Sequence, residues 1–461
     1  MSLRHRQSLA FLLPAAVLVA ACRADTVAPS VPVFLGSTVS AIPENNLAAL
    51  VSVKAGGYDS ASVHYWITGA EALTTPSFMF APDSIARIPV LGLAATTDYQ
   101  IETVLYLENE PTAADTASFR SGPVPDWIPA IGTIGTDTTA GYLAISLPDG
   151  GVIVDNTGRV VWYAYLPAGV LNSFQVHANG TYTLRDTPGT MYVLNVLGER
   201  IGTLPCVGYP TRFHDVMILR DGSAWVMCDD NRTMDLSALG GHAEATVSAT
   251  VIQHLSPGGH VLFEWNAFDH FAITDLPASE RLGVGVNFTH GNSLELDVDG
   301  NLLASFRSLD EVTKINTTTG EVMWRLGGLA NEFTFVNDPK DGFKRQHGVR
   351  LAGPGQIQLL DNGEEAPSRL ARYLINPVQK TALLVASFVD APTTFTMVGG
   401  STDYYPDGHA VVSFGRAGRV VEVDAVGNRA WELTGLDGTY VFRAERLANL
   451  YAPATLSRAG R

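Results

Sequence analysis

Positive charge is scarce in this chain of 461 residues: 30 Lys and Arg stand against 46 Asp and Glu, a formal balance of −16. Such a surface repels nucleic acid and excludes it as a partner. Charge of either sign is thin, at 16% of residues, while 44 glycines and 25 prolines interrupt the sequence. That composition argues against long helices and suits many short strands and turns. Cysteine is nearly absent, limited to Cys22, Cys206 and Cys228. The apolar stretch from Leu9 to Ala21 is too short to span a bilayer. A chain of this length is expected to hold two domains.

Arg4, His5 and Arg6 precede that stretch, and no acidic residue interrupts it, which is the order of a secretory signal. It ends in Val19-Ala20-Ala21-Cys22, which resembles the lipobox of bacterial lipoproteins. The reading is a signal peptide over 1–21, a lipidated Cys22 and a polar tether over 22–32. Losing Arg4 and Arg6 takes the mature chain to −16 − 2 = −18. Arg23, where Asp would retain a lipoprotein at the inner membrane, favours the outer membrane in organisms that use that code. The chain is therefore expected to be exported and lipid-anchored to the bacterial cell envelope, at the outer membrane or its periplasmic face. In that oxidising compartment Cys206 and Cys228 form an even pair and are expected to be disulfide-bonded, tethering the loop that leads to His214.

Residues 33–125 show short alternating runs, among them Val51 to Val53, Ser62 to Trp66 and Tyr99 to Tyr106. The approach from Leu91 to Tyr99 looks like a tyrosine corner, whose hydroxyl bonds upstream backbone, and predicts a small fibronectin- or Ig-like β-sandwich. From Asp126 to the C-terminus a two-hairpin unit recurs six times. Its first turns are Asp149-Gly150, Asn179-Gly180, Asp221-Gly222, Asp299-Gly300, Gly353-Pro354-Gly355 and Asp407-Gly408. Its outer strands often end in tryptophan, at Trp162, Trp265, Trp324 and Trp431. The fold class is thus all-β, a six-bladed propeller over 126–461 preceded by the sandwich.

Within each unit the first strand should line a central channel, and its start lies beside the end of the second strand. Counting outward from the turns puts His214 opposite Asp229, His290 beside Arg307, and His347 opposite Asn362. Three consecutive units deliver a histidine to one mouth. The remaining histidines, at 64, 177, 242, 254, 260, 270 and 409, read as ordinary polar residues. The mouth set suits sulfuryl transfer, which needs cations where charge collects on the sulfate oxygens and a nucleophile able to carry the group. Arg307 and protonated histidines would supply the charge, and a neutral imidazole the nucleophile.

The stretches Phe213-His214-Asp215, Phe288-Thr289-His290-Gly291-Asn292-Ser293, Ser305-Phe306-Arg307-Ser308 and Arg345-Gln346-His347-Gly348 resemble, in order and spacing, the motifs of bacterial arylsulfate sulfotransferases. Glu264-Trp265, Asp269-His270, Asp361-Asn362-Gly363 and Arg443-Ala444-Glu445-Arg446 add to the similarity. The resemblance implies a six-bladed propeller moving sulfuryl groups between phenols without a nucleotide donor. It implies that His347 becomes sulfated, that His214, His290 and Arg307 hold the sulfuryl oxygens, and that Asn292 and Asn362 contact or support substrate. Aryl sulfates and phenols would be the small-molecule partners, with no cofactor. Two departures stand: no cysteine pair lies near His347, and Asp310 and Glu311 follow Arg307 closely. Those acids read as solvated surface, as groups orienting Arg307, or as a sign of a different substrate.

The rival reading is a non-catalytic propeller that binds a glycan or a protein partner. A quinone-dependent dehydrogenase would need a vicinal cysteine pair or a calcium cluster, and neither is visible. Three histidines could also hold zinc, but Arg307 beside them argues against a metal.

Overall fold

The computed structural model describes residues 31–167, 173–186 and 189–453. Cys22 and the expected signal peptide lie outside these residues. Within them the protein is all-β, its strands joined by turns and short 3-10 segments.

Two sheets come first. Val33–Ala41, Ala49–Gly56 and Ile85–Val90 form one; Ser60–Trp66, Asp98–Leu107 and Glu110–Arg120, with two short strands on the outer edge, form the other. Alternate residues point into a shared core of Val51, Val53, Val63, Ile88 and Ile101, the period-2 pattern of sheets wet on one face. The Tyr99 hydroxyl accepts a 2.8 Å hydrogen bond from the Ala94 backbone N–H, as the run leading to it predicts.

Among the described residues six sheets follow, each built on four antiparallel strands, with a fifth strand added to the third, fifth and sixth, in parallel in the third and fifth. The second to sixth each start with an inner strand: Gln175–Val176, Thr211–Ile218, Gly291–Leu296, His347–Leu351 and Ser401–Tyr404. In these five the expected first turns do join the first and second strands. The first sheet corrects that scheme. Its inner strand is Ala444–Leu447, from the far end of the chain, paired with Tyr142–Leu147. Asp149-Gly150 therefore joins its second and third strands, since Tyr142–Leu147 pairs on its other side with Gly150–Asp155. Gly132–Ile134 in turn adds to the outer edge of the sixth sheet.

The inner strands are laced to one another by side chain to backbone hydrogen bonds that return to their starting point. Val176 N donates to Glu445, Val216 N to Gln175, Leu294 N to Asp215, Val349 N to Ser293, Thr402 Oγ1 to the Gly348 carbonyl and Ala444 N to Ser401. Sheets stacked face to face leave the middle strands no wet side: every residue of Leu302–Phe306 and Glu311–Ile315 is buried, whereas the outer Val261–Asn266 is half exposed. Tryptophans on outer strands close the seams between sheets. The indole N–H of Trp162 donates to the Val196 carbonyl of the next sheet, and that of Trp431 to Asn156 of the first.

Candidate active site

The inner strands of the third and fifth sheets each carry a histidine and that of the fourth directly follows one, and each departs from regular pairing beside it. Register shifts fall between Thr211 and Val216, Gly291 and Ser293, and His347 and Arg350. A bulge turns a side chain out of its ladder position. Here the outcome is three imidazoles in one cluster, with ring centroids 4.7 Å apart for His214 and His290, 6.2 Å for His290 and His347, and 6.5 Å for His214 and His347. They line a cavity of about 750 Å3 together with Trp127, Asp149, Arg416 and Tyr440.

His347 has its tautomer fixed. Its Nδ1 lies 2.8 Å from Asn362 Oδ1 and 3.0 Å from the Arg345 carbonyl, both acceptors. The Asn362 amide is oriented in turn, because its Nδ2 donates to the Thr396 and Gly399 carbonyls. The proton therefore sits on Nδ1, and the lone pair on Nε2 is left for the cavity. Burial brings the His347 pKa down to about 4, with the Asn362 bond opposing that shift and Arg307 adding to it, so the ring is neutral at pH 7.

His214 and His290 form a second unit. Their Nε2 atoms are 3.1 Å apart, and Arg212 Nε donates to His214 Nδ1 at 3.1 Å. Guanidinium is donor-only, so a neutral His214 carries its proton on Nε2 and gives it to His290. Burial lowers both pKa values well below 6.5; the neighbouring imidazole adds to this for His214, and Arg212 for both. The expectation of protonated histidines is thus corrected: burial keeps all three rings neutral at pH 7, and fixed positive charge comes from arginines. The same bond weighs against a metal. The three rings are close enough to offer nitrogens to one ion, but Nε2 of His214 is already protonated and four guanidiniums, those of Arg212, Arg307, Arg345 and Arg443, act on these rings.

The Arg307 N–H donates to the His290 carbonyl at 3.1 Å, as the turn count predicts, and its guanidinium bonds the Met397 carbonyl at 3.4 Å. Its Nε is buried with no hydrogen-bond partner among the described residues. Asn292 lies behind the cavity; its Nδ2 holds the Gln346 carbonyl at 2.7 Å. The expected pairing of His214 with Asp229 is overturned: the register shift hands Asp229 to Arg212 instead. Cys206 and Cys228 are bonded, with Cα atoms 6.0 Å apart, and Thr211 pairs with Cys228 at the base of the loop to Arg212 and His214.

Asp310 and Glu311 are buried, so the solvated-surface reading falls. Asp310 accepts from the Arg345 N–H at 2.7 Å and meets Lys344 at 3.1 Å, and Glu311 pairs with Arg325 at 2.7 Å. Both are committed to structural partners, and Asp310 also acts electrostatically on Arg307. Sequence reasoning missed Arg212, Asn287 and Arg345 as parts of the cluster. Arg212 and Arg345 each stand two residues before a site histidine, the spacing that puts side chains on one strand face. Asn287 Nδ2 lies 2.6 Å from His290 Nδ1. Three residues in and around the cluster have left-handed backbone: His290 with φ 51°, Asp310 with φ 53° and Arg345 with φ 55°. Left-handed conformations cost a non-glycine residue about 1–2 kcal/mol and gather at functional sites.

Residues 207–435 match the sequence model of the arylsulfotransferase (ASST) family. This part of the chain belongs to that family. The arylsulfotransferase match spans all three histidines together with Arg307 and Asn362. No curated protein matches the chain. Solved structures similar to it include a Bacteroides caccae protein of unknown function, 12% identical, covering 66% of this chain and 100% of that one with a TM-score of 0.43. Virginiamycin B lyase from Staphylococcus aureus, solved with quinupristin, is 11% identical, covering 66% and 87% with a TM-score of 0.37. The WD40 β-propeller domain of Doa1 is 10% identical, covering 62% and 89% with a TM-score of 0.33.

Proposed function

We propose that this arylsulfotransferase-family protein moves a sulfuryl group from a phenolic sulfate ester to a phenolic acceptor in two steps through His347. The observation that carries this reading is the fixed tautomer of His347: Nδ1 is held by Asn362 and the Arg345 carbonyl, leaving an unbonded, neutral Nε2 on the cavity. In the first step the Nε2 lone pair forms the N–S bond as the S–O bond to the aryl group breaks, and the aryl oxygen leaves as phenolate, which takes a proton from water. In the second an acceptor phenol gives its proton to water, its oxygen attacks the sulfur, and the N–S bond breaks to return the neutral imidazole. Asn362 and the Arg345 carbonyl stabilise the positive charge that the ring acquires while it carries the group. Arg307, and the His214 N–H once the donor draws it from His290, meet the sulfuryl oxygens, where donors act most strongly on developing charge. No metal or cofactor enters the scheme.

The setting completes the proposal. The ring of six sheets reads as a six-bladed propeller over 126–461, supported by the laced inner strands, and the two N-terminal sheets as a β-sandwich over 33–125. A lipid on Cys22 would anchor the enzyme to the bacterial cell envelope, supported by Val19-Ala20-Ala21-Cys22. The Cys22→Ser protein should leave the membrane fraction.

Donor alone is the decisive test of chemistry. A chromogenic aryl sulfate without acceptor should release one equivalent of phenol and leave an acid-labile sulfo-adduct on the peptide holding Arg345, Gln346 and His347. Adduct on another residue, or no phenol release across several donors, returns the field to a propeller that only binds a glycan or protein.

A further inference from the structure

A second cavity adjoins the first. It measures about 580 Å3 and lies where the N-terminal sheets meet the first and second sheets of the ring, with Asp126 and Trp127 belonging to the walls of both. Its size falls in the range of small-molecule sites. Tyr163, Tyr165, Leu166, Leu184 and Leu194 give it an aromatic and aliphatic lining, with Glu44 and Arg200 at the exposed rim.

Trp127 is the partition. Its ring lies 5.6 Å from that of Tyr165 and 6.3 Å from that of Tyr163, the latter edge-on at 80°. It rests on Gly150, where an added Cβ would come within 2.9 Å of Trp127 Cη2, so the strand beneath has no side chain to hold the indole away. On one side of this hairpin Leu147, Pro148 and Asp149 face the histidine cavity; on the other Leu166, whose N–H bonds the Asp149 carbonyl at 2.9 Å, faces the second.

We propose that the second cavity is a subsite for the distal aromatic ring of an extended, uncharged polyphenolic substrate whose reacting hydroxyl lies at His347. The inference rests on the transfer reading above and adds the substrate's shape. Continuity through Trp127 places the subsite on the same ligand, and three aromatic side chains with apolar neighbours suit a second aryl group, for which offset and edge-on packing is favourable. A one-ring phenol would fill the histidine cavity alone.

The test compares phenol with 4-phenylphenol as acceptors, and by calorimetry as ligands, in the wild-type protein and in Glu44→Trp and Tyr165→Ala. Glu44 is exposed, so an indole there narrows the cavity from its rim without entering a core. The two-ring phenol should bind the wild type at least tenfold more tightly than phenol, and the ratio of kcat/KM between the two acceptors should fall tenfold or more in each variant. Equal binding of the two phenols, or ratios within twofold of wild type in both variants, would overturn the subsite. Tight two-ring binding that both variants weaken, without turnover of either phenol, would sink the transfer chemistry and leave the subsite standing.

Discussion

Three of the six inner strands contain or directly follow a histidine of the cavity and three do not, and the two sets differ in backbone as well as in side chains. Thr211–Ile218, Gly291–Leu296 and His347–Leu351 shift register beside the histidine. Gln175–Val176, Ser401–Tyr404 and Ala444–Leu447 pair without interruption. The regular half furnishes buried charge: Arg443, just before Ala444–Leu447, bonds the His214 carbonyl at 3.0 Å and pairs with Asp215 at 3.1 Å, fixing that strand from the first sheet. The irregular half spends its ladder bonds on aim. Gly291 N–H, drawn off the ladder, goes to Thr250 Oγ1, and the Gly291 carbonyl accepts from Arg212. One fold thus separates support from chemistry by local irregularity.

The comparison breaks most sharply at His347. His347→Ala should bring sulfuryl transfer to background and remove the adduct, and retention of most activity would assign the chemistry elsewhere. Arg307→Ala and His290→Ala each remove one of several groups facing the sulfuryl oxygens, so each should cost about 10² to 10³ in kcat. A loss confined to KM in either variant would mean that the group binds the donor without acting on the transition state.

Much of this site was legible before any coordinates, because a turn position fixes which residues meet across an antiparallel pair. That logic brought His290 to Arg307, while at His347 the shifted ladder pairs the residue with Leu360 and Asn362 reaches it through a side-chain hydrogen bond. It failed at His214 because it assumes an uninterrupted ladder, and the irregularity between Thr211 and Val216 displaces Asp229 onto Arg212. Periodicity located the repeating turns but not the chain's return, since Ala444–Leu447 is a short apolar run like many others and only its pairing with Tyr142–Leu147 makes it the inner strand of the first sheet. The charge state was misread for a further reason: proximity of an anion's site suggests protonated histidines, yet burial among four arginines keeps the rings neutral.

That neutrality sets a pH dependence. With its pKa near 4, His347 stays an unprotonated nucleophile through pH 5, so kcat/KM for the donor should be nearly flat from pH 7 to 5 and fall below about 4. An imidazole titrating at its ordinary value near 6.5 would lose about 30-fold by pH 5. Stability carries the matching sign. Above pH 6.5 both folded and unfolded histidines are neutral and nothing changes; below it the unfolded chain takes up protons that His214, His290 and His347 refuse, so unfolding should become easier between pH 6.5 and 4. A rate profile with its acid limb near 6.5 would contradict the buried, neutral site.

The smallest effect separates the two halves by glycine. Gly348 follows the nucleophile with φ 64°, and a Cβ there would lie 2.8 Å from Ser401 Cα, backbone that cannot step aside. Gly180, in the turn of the regular second sheet, has φ 82° but would meet only Pro453 Cδ at 4.0 Å. Gly180→Ala should therefore cost only the left-handed conformation, about 1 kcal/mol, and leave turnover within twofold. Gly348→Ala adds a clash at the crossing where the Gly348 carbonyl accepts from Thr402, so its loss should reach about 2–3 kcal/mol and displace His347. Urea midpoints and kcat measured on the same two proteins read both quantities. Equal destabilisation with equal activity would mean that the irregular strands are no more finely set than the regular ones, and that aim at this site resides in the side chains alone.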